Sequence, residues 1–507
     1  MGDDLHVHSV AVIGAGVSGI CAAAHLLRQG LEVKLFERSS IAGGVWHFDE
    51  NSAIDPQYPN LLPSLGDYAR HRADEDQSAY QTPPRTPDPR LEADNETDSR
   101  QNVKSKDFAT RHAPPGPCYA GLTNNVALRA MKTTLGDWPE GLGDFVNQRY
   151  LEQYLQGIAQ TSGVNDVAEY NTRVEEVVKD PVRSKWSVKT TTLRNGATSE
   201  LLERDWHFDA VVVASGHYNM PRVPDIPGLK EWKARYPDRV WHSKRRWRQQ
   251  QRHIERVRGI AEKVFQSSRG GDLDLPLSML PPSATRIGGV RRFVLEGDEE
   301  HAFTPSGRIN GYVELTNGSK LCDLDRVILA TGYLTSYPYL SQYHADDKQP
   351  EDASESDLVT GDGNMVHNLH KDIFFINDPT LSFVGQPYHI STFSLFEFQA
   401  QVVARVLSGA AKLPSERAMR QEYRERVAAR GLGRDFHSLR GDGEELGYVR
   451  SLVEWMNATP SSGILPMVGH TESFIQAHKD QRERLAFIGR SRQKGSGVSF
   501  EHVAVSC

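Results

Sequence analysis

Cysteine is scarce in this chain: four in 507 residues. Cys21, Cys118, Cys322 and Cys507 lie far apart. They offer no C-x-x-C pair, no zinc-ligand spacing and no disulfide framework, and a reducing, cytoplasmic setting is expected. An excess of positive charge is also lacking. Lys and Arg number 59 against 66 Asp and Glu, a net charge of −7, so nucleic acid, which needs a basic stripe, is not an expected partner. A mean hydropathy of −0.53 excludes a polytopic membrane protein. One long apolar run exists, Val10 to Leu27, and its length touches the threshold for a membrane span. The start Met1-Gly2-Asp3-Asp4 is acidic, unlike a secretory leader. No transmembrane segment is expected, because the run carries glycines at a spacing that has another explanation. No Ser-His-Asp or metal-ligand constellation is visible.

Hydrophobic residues make up 38%, and 42 glycines bring the apolar share into the range of soluble globular chains. The length suits two or three domains at roughly 150 residues each.

Val10-Ala11-Val12-Ile13 is too short for a helix and suits a buried parallel strand. Gly14-x-Gly16-x-x-Gly19 follows at once, then a helix rich in Ala and Leu to Arg28, which Gly30 can cap. Val33 to Phe36 is the next strand, and Glu37 ends it. This is the βαβ dinucleotide fingerprint in its full context. Gly14 permits the tight turn, Gly16 lets the backbone approach a pyrophosphate, and Gly19 lets helix and strand pack closely. The helix N-terminus presents free N–H groups to the anion. Glu37 would accept hydrogen bonds from ribose hydroxyls.

Arg38 to Trp46 continues this as E-R-x-x-x-x-G-G-x-W, with Gly43 and Gly44 as a second glycine pair. Tyr119 to Met131 reads Y-A-G-L-T-N-N-V-A-x-x-x-M. Val211 to Tyr218 reads V-V-V-A-S-G-H-Y, and Ala330-Thr331-Gly332-Tyr333 repeats the strand-plus-glycine idea. Together these motifs resemble the flavin-containing monooxygenase family, fungal type, over roughly residues 8–63, 117–243, 261–340 and 373–458. The resemblance implies an α/β flavoprotein with two dinucleotide-binding domains: a Rossmann-like FAD domain interrupted by a smaller NADPH domain. It adds Ser18, Arg38, Gly44, Val45, Trp46, Ser215, Gly216, Thr331 and Gly332 to the FAD-binding set. Asn125 falls on the family's Asn beside the reactive face of the flavin, where an amide can donate to an oxygen intermediate and to a substrate heteroatom. Asn124 stands where the family has Thr, and Ala127 where it has Pro.

The expected organisation is an FAD domain over 1–228, with a flexible surface insertion at 64–116 that is polar and proline-rich. An NADPH-domain remnant spans 229–325, an FAD-domain return 326–413, and a charged helical extension packing on the outside 414–507. Asn317-Gly318 predicts a hairpin. The family's F-x-G-x-x-x-H-S-x-x-Y frame survives only in part, as Tyr236, Asp238, His242, Ser243 and Arg246. A second G-x-G-x-x-G is absent between Lys244 and Arg269. Ser267 and Arg269 match the family's contacts to the NADPH 2′-phosphate, but the strand, turn and helix that should precede them do not fit in the space. Either a segment is missing from the sequence, or NADPH binding by this route has been lost.

The resemblance implies an N,N-dimethylaniline monooxygenase-like enzyme. NADPH reduces FAD, the reduced flavin takes up O2, and a C4a-hydroperoxide passes one oxygen to nitrogen or sulfur of a small nucleophilic molecule. The alternative is a flavin oxidase, or a catalytically impaired FAD-binding protein without normal NADPH binding.

Overall fold

The computed structural model describes residues 5–67, 108–194, 200–245, 262–268, 280, 283–298, 301–458 and 465–493. Its central sheet has seven strands. Five are parallel: β1 (Ser9–Ile13), β2 (Glu32–Phe36), β3 (Ala168–Glu169), β7 (Ala210–Val213) and a strand at Leu381–Phe383, in the order Leu381–Phe383, β7, β1, β2, β3. Leu369–His370 and Phe374–Phe375 extend it antiparallel at one edge. β1 and β7 are buried on both faces, which is why they read as unbroken apolar runs rather than alternating ones.

Helix α1 (Val17–Arg28) covers one face. Cys21, Ala22, Ala23 and Ala24 are small and fully buried along it. They let a long helix at Thr392–Leu407 lie close, with Phe393, Leu395, Val402 and Val403 in the shared core. Each large aliphatic side chain buried there contributes about 1.5–3 kcal/mol. The other face carries an antiparallel three-stranded layer, β4 (Thr172–Asp180), β5 (Lys185–Arg194) and β6 (Glu200–Phe208), packed through Phe36, Trp186, Phe208 and Phe383. α2 (Gln148–Thr161), capped by Asn147, buries Leu151, Leu155 and Ile158 as its periodicity predicts.

The second unit has its own core around Trp232, Tyr236, Val240, Phe293 and Val313. Among the described residues it holds three small sheets rather than one. Val240–His242 pairs in parallel with Val327–Leu329, and Val264–Ser267 with Ala284–Ile287, while Val290–Leu295, Gly311–Leu315 and Lys320–Leu321 pair antiparallel. The Asn317-Gly318 turn joins the last two strands, with Gly318 at φ +83°. Arg269 and the stretch 246–261, where a second glycine fingerprint would fall, lie outside the described residues.

The apolar run from Val10 is the expected strand, turn and helix, and among the described residues no helix is long and apolar enough to cross a membrane. Most of 64–116 lies outside the described residues, but its described ends are not loose surface. Asp67 and His112 are buried, and His112 Nε2 bonds the Asn171 carbonyl at 2.9 Å. The C-terminal extension does not stay on the outside, as the site shows. In addition, Cys21 and Cys118 are free and buried.

Candidate active site

The glycine turn is close-packed for a steric reason. A Cβ on Gly19 would stand 1.7 Å from the Gly14 carbonyl oxygen, and one on Gly14 (φ +103°) would stand 2.7 Å from that of Ala214. Gly44, at φ +55°, approaches Gly16 so nearly that its Cβ would lie 2.6 Å from Gly16 Cα. Two backbone segments therefore meet over the start of α1. Gly16 is its N-cap and no side chain caps it, so the first N–H groups keep their capacity for an anion.

This cradle opens into a cavity of about 870 Å³, near the upper end for small-molecule sites. Of the residues expected to bind cofactor, Gly14, Gly16, Ser18, Glu37, Arg38, Gly44, Val45, Trp46, Asn125, Ser215 and Gly216 line it. Gly19 sits beneath, in the helix–strand contact. Thr331 and Gly332 are not in the wall. The Thr331 hydroxyl donates to the Arg222 carbonyl, and Gly332 accepts from Arg222 N at 2.9 Å and pairs with His242 Nε2 at 3.1 Å. They fasten the crossover between the two units instead. Ser267 is exposed, and its hydroxyl donates to the Gly288 carbonyl at 3.0 Å, away from the cavity.

Glu37 is buried at the end of β2. Its Oε2 accepts from Ala15 N at 2.7 Å and its Oε1 from Ser39 N at 2.8 Å. Each oxygen keeps a lone pair for a further donor. Arg38 makes a two-pronged pair with Asp67 at 2.8 and 3.1 Å, and Lys244 Nζ reaches the same carboxylate at 2.9 Å. Burial alone would raise the Asp67 pKa, but Arg38 and Lys244 outweigh it and hold the carboxyl well below the usual range. One buried anion thus ties the end of β2 to the entry of the second unit.

Asn124 and Asn125 divide their roles. Buried Asn124 donates to the Val126 and Asp144 carbonyls at 2.7 and 2.8 Å and accepts from Val146 N at 2.6 Å. That staples the loop and leaves exposed Asn125 in the cavity wall. Ala127 holds φ −58°, the angle a proline would impose.

His242 shows why its ring stays neutral. Its Nδ1 accepts from Lys244 N at 3.1 Å, so Nε2 carries the hydrogen donated to Gly332. Burial, then the Lys244 charge, lowers its pKa from 6.5 to about 4. Tyr218 packs edge-on against Tyr333 of the returning chain at 5.5 Å.

The sequence reading missed one whole wall of the cavity. Pro387 to Thr392, Leu439 to Gly441, Glu445, His478, Gln481 and Arg482 line it, the last seven from the C-terminal extension. Gly385, which follows an apolar strand as Gly14 does, leads into this wall. The tail's signal was hidden, because its helices read as charged and solvent-facing.

Comparison with known proteins decides the family. Residues 9–239 match the FAD dependent oxidoreductase profile, and residues 310–468 match the Flavin-binding monooxygenase-like profile. Flavin-containing monooxygenase ustF2 of Aspergillus flavus is 37% identical over 513 aligned positions, covering 94% of this chain and 97% of that protein. The chain belongs to the flavin-containing monooxygenase family. It is an FAD-dependent monooxygenase. A further relative, flavin-containing monooxygenase iboF of Amanita muscaria, is 29% identical over 90% of this chain and 89% of its own. In fold the enzyme resembles the S-allyl-L-cysteine S-oxygenase of Allium sativum (TM-score 0.60, 21% identity, 96% of this chain and 98% of that one). It also resembles Tmm from Pelagibacter (TM-score 0.61, 17% identity, 94% and 90%). Residues 240–309, where the nicotinamide unit is expected, lie between the two profile matches. The alignment to ustF2 is longer than this 507-residue chain, although part of the chain falls outside it, so that monooxygenase carries residues with no counterpart here.

Proposed function

We propose that this monooxygenase places one oxygen atom of O2 on a sulfur or nitrogen atom of a small molecule, by the flavin route its family resemblance implies. The observation that carries the reading is that the glycine cradle, Glu37 and the Asn125 amide line one continuous cavity. FAD fits the cradle. The Gly14 and Gly44 backbone leaves no space a side chain could take, the uncapped N–H groups of α1 would hold a pyrophosphate, and Glu37 and Ser215 line the same cavity. When bound, the flavin supplies the activation of O2. The protein's own part is to hold and shield. Trp46, Ile390 and Phe396 give the cavity an apolar wall that limits water, and the Asn125 amide would donate toward the transferred oxygen and the substrate heteroatom. Sulfur has one support from the fold neighbours, since the Allium enzyme is named for oxygenation at sulfur.

A flavin oxidase, or an impaired FAD protein, is the second reading. It is favoured by the lack of a second glycine fingerprint between Lys244 and Arg269. Anaerobic addition of NADPH to the purified protein separates the two: bleaching of the flavin supports the monooxygenase, and a flavin that stays oxidised supports the second reading. Sequencing the transcript across residues 244–262 shows whether a segment is missing from the chain.

A further inference from the structure

The C-terminal extension brings charge of both signs into the cavity. Leu439, Arg440, Glu445, His478, Gln481 and Arg482 line it. Glu445 is 4% exposed. Its Oε1 accepts from Ser391 N at 2.9 Å, at the start of the Thr392–Leu407 helix, and its Oε2 lies 3.5 Å from His478 Nε2. A carboxylate has about four acceptor sites, so this one keeps room for a donor from the cavity. Its neighbour Glu444 has no such role. Glu444 pairs with Arg430 and accepts from Gly441 N at 2.8 Å, which locks the turn that leads into the Glu444–Asn457 helix. The turn places Arg440 on the cavity side of the same strap. Arg482 braces the turn, at 3.5 Å from the Gly441 carbonyl and 3.0 Å from Asp442, whose side chain is 90% exposed and so screens it little. Burial, then Arg440 and Arg434, lowers the pKa of His389 in the same wall. The last helix also holds the Asn125 loop: Phe474 and Ala477 pack on Ala127 and Ala130, and Arg484 donates to the Asn125 carbonyl at 3.4 Å. The charged wall and Asn125 therefore keep a fixed relation.

We propose that this wall is a head-group subsite for a small zwitterion of the amino-acid type, with Glu445 taking its ammonium group and Arg440, beside Arg482, its carboxylate. A buried carboxylate facing a cavity costs free energy unless a cation meets it, and a guanidinium is suited to a planar carboxylate. A neutral ligand offers neither charge. The sulfur or nitrogen to be oxygenated then lies toward Asn125. This rests on the reading given above, of oxygen transfer to a small sulfur or nitrogen compound.

The test uses the FAD-loaded full chain and four probes: S-methylcysteine, its N-acetyl derivative, its methyl ester and a neutral dialkyl sulfide. Binding is measured by calorimetry without NADPH, and turnover separately. The zwitterion is expected to bind at least about tenfold more tightly than each of the other three, the scale of one charged hydrogen bond. Glu445→Gln keeps an acceptor for Ser391 N and should erase the preference over the N-acetyl form. Arg440→Gln should erase the preference over the ester. Equal binding of all four probes, or variants that leave both ratios unchanged, overturns the proposal. Because binding is read without turnover, a protein that binds the zwitterion but fails to oxygenate it refutes oxygen transfer to this class of molecule and leaves the subsite standing.

Discussion

Replacing Gly44 with alanine tests the cradle most sharply. The substitution forces an L residue to φ +55° and sets its Cβ 2.6 Å from Gly16 Cα, where ordinary contact begins near 3.4 Å. The backbone conformation alone costs about 1–2 kcal/mol. The collision is with backbone, not with the end of a flexible chain, so the two segments must part by the better part of an ångström. That moves the N-terminus of α1 away from the anion it would bind. Overpacking of this kind costs about 1–3 kcal/mol. If the collision falls on the binding-competent geometry, FAD affinity should drop roughly ten- to hundredfold. Gly30→Ala is the matched control. It has φ +77° but nothing within 4 Å, so it carries the strain without the collision. The assay is FAD content after dialysis, with the dissociation constant from flavin fluorescence and stability from urea unfolding. Both variants should lose stability from backbone strain, Gly44→Ala further by its collision, and only Gly44→Ala should lose FAD. Full flavin retention by Gly44→Ala, or equal loss in both, would refute the argument that close approach of these backbones makes the site.

Three further outcomes are expected. Asn125→Ala should keep its FAD content yet release more hydrogen peroxide per NADPH consumed, with product formation down about tenfold or more; unchanged coupling would remove Asn125 from the chemistry. Asp67→Asn removes the carboxylate that Arg38 and buried Lys244 share and should cost about 3–5 kcal/mol in urea unfolding, whereas a loss below about 1 kcal/mol would show the cluster to be solvated. His242 is fully buried, with a pKa lowered from 6.5 to about 4. The unfolded chain gains a proton below 6.5 while the folded one resists, so stability is complete above that pH and falls as pH drops toward 4. The ring contributes on the order of 3 kcal/mol to that slope. His242→Gln should flatten the unfolding midpoint against pH over this window, and an identical slope would disprove the assignment.

What the sequence made legible follows from local physics. The strand, turn and helix from Ser9 to Arg28 could be read because apolar period, glycine spacing and a terminal acid all agree at short range. Asn125 was reached through resemblance, and the structure adds why it is presented: Asn124 takes over the stapling of the loop. Thr331 and Gly332 fall outside the cavity wall, and a strand followed by A-T-G looks the same whether the turn faces a cofactor or a domain crossover. The tail was misread for a different reason. Glu445 and His478 are polar residues on helices whose other buried residues are apolar, Val449, Leu452 and Met456 on one and Phe474 and Ala477 on the other, and a periodicity search finds those apolar faces, not one buried carboxylate. Nor does composition reveal that the edges of a polar insertion, Asp67 and His112, are buried against distant partners.

The central claim is oxygen transfer from O2 to a sulfur or nitrogen atom, driven by NADPH. The most direct measurement is mass spectrometry of the product formed from S-methylcysteine with NADPH under isotopically labelled dioxygen. The account predicts a product heavier by one labelled oxygen atom, formed with matching NADPH consumption. NADPH consumed only to hydrogen peroxide, or a product whose oxygen comes from unlabelled water, would contradict it.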